Sequence, residues 1–260
     1  MNRPDHYFLD LSGRTVLVTG GASGIGRGTA VACAAAGAKV AMLAPRGNTL
    51  GTLEEIRASG GSAIWVQGDV SVGADVDRAI AVTVEAFGGI DGVVHNATDR
   101  DSGTETELHD VSDAVWDAAV AVSLRGAFNL ARGSLPHLQP GRGRFVVMTS
   151  PAAMEGAVRR HAYAAVKGAL RGFAKSLAVE WGPLGIAVTC ISPLSMSPGL
   201  ARSIADNPGL KARLDKVVPL KRIGDPETDI APVIAFLMSA GASYINGQTI
   251  IVDGGRFTTL

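Results

Sequence analysis

Two side chains suited to acid–base chemistry lie four residues apart in the motif Tyr163-Ala164-Ala165-Val166-Lys167. The motif opens a predicted helix, where residues i and i+4 share one face. A lysine ammonium beside the phenol favours the phenolate, so we expect Lys167 to lower the pKa of Tyr163 from about 10 towards neutral pH. Ser150 ends a predicted strand, and ligands bind at such strand ends in open parallel sheets. Tyr163 is therefore predicted to be a general acid or base near Ser150.

A glycine-rich turn runs from Thr19 to Gly26, between the first predicted strand and the first predicted helix. Glycines let the backbone approach a pyrophosphate, and the helix N-terminus presents free N–H groups to its charge. The position inside a βαβ unit makes a dinucleotide the expected ligand. The residues expected to contact it are Gly20, Ser23, Gly24, Ile25 and Gly26.

Short apolar runs alternate with longer amphipathic runs almost to the C-terminus. The predicted strands are 15–18, 39–43, 62–66, 92–95, 144–149, 186–191 and 249–252. The predicted helices are 24–36, 50–58, 75–87, 114–135, 162–181 and 227–238. Most strand runs are apolar throughout, which indicates burial on both faces. The pattern predicts one α/β domain over residues 1–260, with a doubly wound, Rossmann-type parallel sheet of seven strands and helices on both faces.

Composition excludes several classes of protein. The 260 residues carry 24 Lys plus Arg and 24 Asp plus Glu, so the net charge is zero and nucleic acid is not an expected partner. With 47% hydrophobic and 18% charged residues the chain is not disordered. No apolar run reaches the ~20 residues of a membrane span, and the N-terminus lacks signal-peptide features, so a cytoplasmic location is expected. The cysteines and histidines show no metal-ligand spacing.

The motifs together resemble the short-chain dehydrogenase/reductase family, from about Gly13 to Gly255. The family's Thr-Gly-x-x-x-Gly-x-Gly matches residues 19–26, and further matches are Gly68-Asp69-Val70, Asn96-Ala97 and Val252-Asp253-Gly254-Gly255. The resemblance implies a nicotinamide cofactor. It places Asp69 and Val70 at the adenine and Asn96 and Ala97 beside the cofactor. It also places Pro193 and Ser195 at the nicotinamide carboxamide.

The resemblance also assigns catalytic roles. Ser150 precedes Tyr163 by thirteen residues, the family's spacing, and would donate a hydrogen bond to the substrate carbonyl as charge develops. Tyr163 would transfer the proton, while Lys167 would lower its pKa and hold the nicotinamide ribose. Ser123 stands where the family commonly has an asparagine that helps to hold a water for proton supply. A hydroxyl offers fewer donors than an amide, so a lower rate is expected.

Two further positions depart from the family pattern. Asn-Asn-Ala-Gly becomes His95-Asn96-Ala97-Thr98, and Pro-Gly becomes Pro193-Leu194. The larger residues at 98 and 194 would alter the close approach of the backbone and the placement of the nicotinamide ring.

The choice of dinucleotide depends on the end of the second predicted strand, which reads Ala44-Pro45-Arg46. A carboxylate there would bind the 2′-hydroxyl of NAD. None is present, and Arg46 could instead pair with a 2′-phosphate. NADP is therefore expected as cofactor, with NAD as the less favoured alternative.

The remaining segments concern substrate and assembly. Residues 194–222 are far longer than an ordinary connection and contain several prolines, which predicts a mobile lid. An apolar substrate pocket is expected from Pro151, Ala152, Met154, Val158, Met196 and Leu200. Arg159 and Arg160 are interpreted as solvated or interface side chains, with recruitment of an anionic substrate group as the alternative. The resemblance implies a homo-oligomer, a tetramer with paired long helices.

Three functions fit these features. The first is an NADP-dependent oxidoreductase that interconverts a ketone, or a 3-oxoacyl group, and a secondary alcohol. The second is a dinucleotide-binding protein of weak or lost catalysis that acts as a sensor or partner protein, which the departures at Thr98, Ser123 and Leu194 favour. The third is a double-bond reductase for acyl thioesters. The intact set of Ser150, Tyr163 and Lys167 favours the first.

Overall fold

The computed structural model describes residues 9–45, 49–138 and 143–258, and the strands among them form one parallel sheet. These strands are β1 (Thr15–Thr19), β2 (Lys39–Ala44), β3 (Ser62–Gln67), β4 (Gly92–His95), β5 (Arg144–Met148), β6 (Ala187–Pro193) and β7 (Thr249–Val252). Their order in the sheet is β3-β2-β1-β4-β5-β6-β7.

Helices connect the strands. The α-helices of the described residues are α1 (Gly24–Ala35), α2 (Thr49–Ala58), α3 (Gly73–Phe87), α4 (Asp113–Ala119), α5 (Gly126–Ser134), α6 (Ala152–Glu155), α7 (His161–Trp181), α8 (Pro198–Asp206), α9 (Gly209–Val217) and α10 (Ala231–Met238). Short 3₁₀ helices cover Leu108–Asp110, Leu135–His137, Gly182–Leu184 and Ala240–Ala242, and π-helical segments cover Val120–Arg125 and Pro226–Ile230.

The helices cover both faces of the sheet, as the apolar strand runs predict. On one face, α3, α5 and α7 pack over a core that includes Leu17 and Phe145, with the ring of Phe145 edge-on to Trp181. On the other face, α1, α2 and α10 pack over a core that includes Val18 and Met42. The doubly wound fold is confirmed. Each face supplies its own apolar core, so the strand ends are held from two sides.

The strand order reverses direction between β1 and β4. β1 pairs with β2 on one side and with β4 on the other, and all three run parallel. In an open α/β sheet, ligands bind outside the carboxyl ends of the strands at such a reversal. The fold therefore predicts a ligand site at the residues that follow β1 and β4.

The helix predicted over 114–135 is helical over 113–134 but is not α-helical throughout. It divides into α4, the π-helical segment Val120–Arg125 and α5, and a 3₁₀ turn follows. Within the π-helical segment, the carbonyl oxygen of Ser123 accepts a hydrogen bond of 2.7 Å from Nε2 of His95. The sequence pattern did not indicate this hydrogen bond, because its donor lies on β4.

Residues 194–222 are not the irregular loop that the prolines indicated, because α8 and α9 lie within them. The Ser197 hydroxyl accepts from the backbone N–H of Leu200 at 3.3 Å, and Pro198 occupies the first helical position. A capping serine followed by proline is a helix start signal. The expectation of a loop was wrong here, whereas the mobility of the segment stays a prediction.

Candidate active site

The glycine turn folds back on itself between β1 and α1. Gly24 has φ +54°, and a Cβ there would lie 2.7 Å from Cδ of Pro198. A Cβ at Gly26 would collide with the carbonyl oxygen of Gly20 and would lie 2.5 Å from Nδ2 of Asn96. Only glycine fits at these two positions. The turn therefore presents bare backbone to the crevice.

The N-terminus of α1 points into this turn. Ser23 is the N-cap residue, and its side chain makes no capping hydrogen bond to the described part of the chain. The first helical N–H groups have no partners within a helix, and no acidic side chain stands in the first turn of α1. The partial positive charge of this helix end is therefore available to an anionic group such as a pyrophosphate.

A hydrogen-bond network fixes the ends of β1 and β4 against each other. The hydroxyl oxygen of Thr19 accepts from the backbone N–H groups of Asn96 and Ala97, each at 3.0 Å. Nδ2 of Asn96 donates to the carbonyl oxygen of Thr19 at 3.1 Å. Asn96 and Ala97 thus lie directly beside the glycine turn. The two halves of the crevice are joined at its floor.

His95 extends this network into the core. Nε2 donates to the Ser123 carbonyl oxygen, which leaves Nδ1 to accept from the Thr19 hydroxyl at 3.4 Å. Burial, together with the positive charge of Lys167, lowers the pKa of His95 to about 4. The imidazole is therefore neutral at neutral pH and acts as a hydrogen-bonding strut. Sequence reasoning interpreted this histidine only as a structural residue.

Ser150, Tyr163 and Lys167 come together at the carboxyl edge of β5. Ser150 follows this strand, and Tyr163 and Lys167 lie one turn apart on α7, with Nζ of Lys167 5.6 Å from the centre of the Tyr163 ring. Nζ of Lys167 donates to the carbonyl oxygen of Met148 at 2.8 Å, and the Thr149 hydroxyl donates to the carbonyl oxygen of Lys167 at 3.0 Å. These two bonds fix α7 against the end of β5.

Burial shifts the pKa values of Lys167 and Tyr163. It lowers the pKa of Lys167 to about 8. Burial also raises the pKa of Tyr163, while hydrogen bonding with the Ser150 side chain and the charge of Arg160 act in the opposite direction. The Tyr163–Lys167 spacing predicted a lowered pKa for Tyr163, and that prediction was wrong. The pKa is raised because burial outweighs the Ser150 hydrogen bond and the Arg160 charge.

Ser123 is fully buried in the π-helical segment. Its hydroxyl has no hydrogen-bond partner among the described residues. A buried polar group without a partner is uncommon and is often satisfied by an ordered water. The position is thus suited to holding a water molecule.

The side chains of the two residues assigned to the adenine, Asp69 and Val70, lie in different surroundings. A cavity of about 460 Å³ is lined by Pro45, Gln67, Gly68, Asp69, Asp75 and Arg78. Val70 is instead buried, with its side chain packed near Gly126. Arg46 lies outside the described residues. Sequence reasoning missed Asp75 and Arg78, which form an i,i+3 ion pair of 2.7 Å, a spacing that could have been noticed.

The end of β6 brings Pro193 and Ser195 to the same edge of the sheet. Leu194 uses its backbone in two neighbouring contacts: its N–H donates to Val252 at 2.9 Å, and its carbonyl oxygen accepts from Gly224 at 3.3 Å. The hydroxyl of Ser195 is buried and lacks a partner in the part of the chain that the structure describes.

The predicted apolar lining is only partly enclosed. Five of its side chains are partly buried, whereas Val158 is 84% exposed and does not line a closed pocket. Among residues 9–45, 49–138 and 143–258 no cluster of metal-ligating side chains occurs. No helix in these ranges is long and apolar enough to cross a bilayer.

The chain is similar to known proteins over most of its length. The family model described as Enoyl-(Acyl carrier protein) reductase matches residues 20–256. An A-factor type gamma-butyrolactone 1'-reductase (1S-forming) of Streptomyces virginiae is 36% identical over 254 residues, covering 96% of this chain and 97% of that protein.

Two other relatives are a reductase and a dehydrogenase. A 3-oxoacyl-(acyl-carrier-protein) reductase of Staphylococcus epidermidis is 32% identical, covering 94% of this chain and 99% of the relative. A short chain dehydrogenase of Burkholderia cenocepacia, solved in complex with NADP, is 31% identical with a TM-score of 0.86, covering 95% of this chain and 98% of that one. The chain belongs to the short-chain dehydrogenase/reductase family and is an oxidoreductase.

Proposed function

We propose that this enzyme interconverts a ketone, or a 3-oxoacyl group, and a secondary alcohol with NADP as cofactor. The observation that carries the proposal is the placement of Ser150, Tyr163 and Lys167 at the sheet edge that also holds the glycine turn. A protein that only bound a dinucleotide would have no chemical need for this group.

The residues present fit a nicotinamide dinucleotide. The bare backbone of the turn and the free N–H groups of α1 suit the pyrophosphate, and the cavity beside Asp69 suits the adenine. Ser195 and the backbone near Pro193 would contact the carboxamide. When bound, the nicotinamide supplies a hydride from C4 to the carbonyl carbon in reduction and accepts it in oxidation.

Side chains of this protein transfer the proton. In reduction the Tyr163 hydroxyl donates its proton to the carbonyl oxygen as the carbonyl electron pair moves onto that oxygen. Ser150 donates a hydrogen bond to the same oxygen and stabilises the developing negative charge. Lys167 commits one N–H to Met148, which leaves two donors for the cofactor ribose. A water held by Ser123 would return a proton through Lys167.

The preference for NADP rests on the end of β2. No carboxylate stands there, and Pro45 lines the same cavity as Asp69, which supports a position of the adenosine end of the cofactor next to β2. Arg46 remains the proposed partner of the 2′-phosphate.

Ala44→Asp is expected to shift binding towards NADH. A carboxylate at the end of β2 would repel the 2′-phosphate and accept from a 2′-hydroxyl, and a tenfold change in the ratio of the two dissociation constants corresponds to about 1.4 kcal/mol. Calorimetric titration of both cofactors measures the ratio, which cancels any general loss of stability. If the parent already binds NADH at least as tightly as NADPH, the assignment of NADP is wrong.

A second candidate function is the reduction of a carbon–carbon double bond in an acyl thioester, favoured by the description of the matching family model. We expect NADPH oxidation with the small diketone 2,3-butanedione and none with crotonyl thioester, followed by absorbance at 340 nm. The opposite result would establish the double-bond reductase. Tight NADPH binding without turnover of either compound would support the sensor or partner protein.

A homotetramer remains a proposal. Trp116 on α4, Phe128 on α5 and Val179 on α7 are exposed, so the helices expected to pair carry apolar surface. Light scattering at micromolar concentration is expected to give four times the 26.7 kDa chain mass, and a monomer would contradict the proposal.

A further inference from the structure

One arginine joins three segments at the entrance to the site. Arg160 is the N-cap residue of α7, three residues before Tyr163. Its Nη2 donates to Oε1 of Glu105 at 3.0 Å and to the hydroxyl of Ser203 at 3.1 Å. Glu105 lies between β4 and α4, and Ser203 lies on α8. A single guanidinium thus connects the N-terminus of α7 to both.

The helix that Arg160 holds passes over the strand ends. α8 begins at Pro198, whose ring lies against Gly24 of the glycine turn. It then extends to Ser203, where it meets Arg160, and Nη2 of Arg202 donates to the carbonyl oxygen of Arg100 at 3.3 Å. α8 is therefore placed against the glycine turn at one end and near Tyr163 at the other. Arg160 and Arg202 make the polar contacts that hold the second end.

This arginine does not resemble a solvated surface residue. Its side chain is 24% exposed, and its Nε is buried without a hydrogen-bond partner in the described ranges. The adjacent Arg159 is 53% exposed and forms a simple ion pair with Glu107 at 2.7 Å. Each neighbour thus carries a positive charge and pairs with a different carboxylate, and the two differ in burial and in contact with α8.

The charge of Arg160 also reaches Tyr163, where it opposes the rise in pKa that burial causes. The other groups near this phenol are the Ser150 hydroxyl at the end of β5 and Lys167 on α7 itself. Glu105, the partner of Arg160, lies in the segment after β4, and Ser203 and Arg202 lie on α8.

We propose that Arg160 is a positioning residue, which fastens α8 to the segment after β4 and keeps a positive charge beside the proton-transferring tyrosine. The role of this charge in catalysis rests on the proposed function, since it needs Tyr163 as acid or base. The effect of Arg160 on the Tyr163 titration and its hold on α8 do not rest on that function, and both can be measured without substrate or cofactor.

The charge is tested by ultraviolet titration of tyrosinate in the full-length protein. The chain has three tyrosines, so subtracting the titration of Tyr163→Phe isolates Tyr163. Arg160→Gln is expected to move the Tyr163 midpoint to higher pH, because the charge that favours the phenolate is lost. Arg160→Lys keeps the charge and is expected to titrate near the parent. Arg159→Gln, the matched control, is expected to leave the midpoint unchanged.

The fastening is tested by hydrogen exchange of residues 198–206. Arg160→Gln is expected to speed exchange there about 3- to 10-fold, the effect of one lost hydrogen bond to α8, whereas Arg159→Gln is not. Ser203→Ala removes the same bond and also the hydrogen bond of 3.2 Å from the Ser203 hydroxyl to the Gly199 carbonyl oxygen, so it is expected to speed exchange at least as much. Ser203→Ala leaves the arginine in place and guards against a folding defect in the arginine variants.

An unchanged Tyr163 midpoint and unchanged exchange in Arg160→Gln would overturn the inference, and so would equal effects in Arg159→Gln. Failure of the proposed function has a different signature, which is reductase activity that survives Tyr163→Phe.

Discussion

Replacing Tyr163 with phenylalanine is expected to lower the turnover of a carbonyl substrate by about 10² to 10⁴, the usual contribution of general acid catalysis. The ring remains and keeps its place on α7 beside Lys167. The hydroxyl is the group proposed to give its proton to the carbonyl oxygen, and Ser150 cannot replace it because a serine hydroxyl is a much weaker acid. Steady-state kinetics with NADPH and 2,3-butanedione measure the loss.

The dissociation constant of NADPH is expected to change little in Tyr163→Phe, so the loss lies in turnover rather than in cofactor binding. Lys167→Ala provides the contrast. It is expected to lower both turnover and cofactor affinity, because the ammonium is proposed to contact the ribose. Parent-like reductase activity in Tyr163→Phe would remove the proposed mechanism and reopen the double-bond reductase.

Gly26→Ala is expected to weaken NADPH binding about 10- to 100-fold, which corresponds to the 1–3 kcal/mol typical of overpacking. The added Cβ would collide with the carbonyl oxygen of Gly20 and press on Asn96. The backbone of the turn must then move away from the position that the pyrophosphate requires. Calorimetric titration gives the affinity, and thermal unfolding reports whether the fold survives.

Gly51→Ala is the matched control for this change. Gly51 is exposed on α2, and a Cβ there meets no described atom within 4 Å. Alanine favours a helix over glycine by about 0.5–1 kcal/mol, so this variant is expected to be slightly more stable and to bind NADPH as the parent does. Unweakened binding by Gly26→Ala would show that the turn does not cradle the cofactor.

The strands could be predicted closely because their signal is local. β4 and β7 begin and end where the apolar runs 92–95 and 249–252 predict. The other strands differ by one residue at one end, except β6, which starts one residue later and ends two residues later than predicted. Apolar runs buried on both faces carry this information in the sequence itself. The glycine turn was predictable for a similar reason, since few residues other than glycine fit its backbone.

What could not be predicted depends on contacts between distant residues. The hydrogen bond to the Ser123 carbonyl oxygen comes from His95, which lies 28 positions away. The direction of the Tyr163 pKa shift depends on how deeply the ring is buried, which a four-residue spacing does not reveal. Arg160 could not be distinguished from Arg159 by sequence, because only the fold brings Glu105 and Ser203 to the same guanidinium.

The strand order has a consequence for folding. β1 pairs with β4, a separation of 76 residues between Val16 and Gly92, and the site further requires residues from β5, α7 and β6. Such long-range pairings close slowly, since the chain entropy lost must precede the contacts that compensate for it. The ligand site is complete only when nearly the whole sheet has formed. A bound ligand should then stabilise the entire domain rather than one lobe, by about 2.7 kcal/mol at a concentration 100 times its dissociation constant.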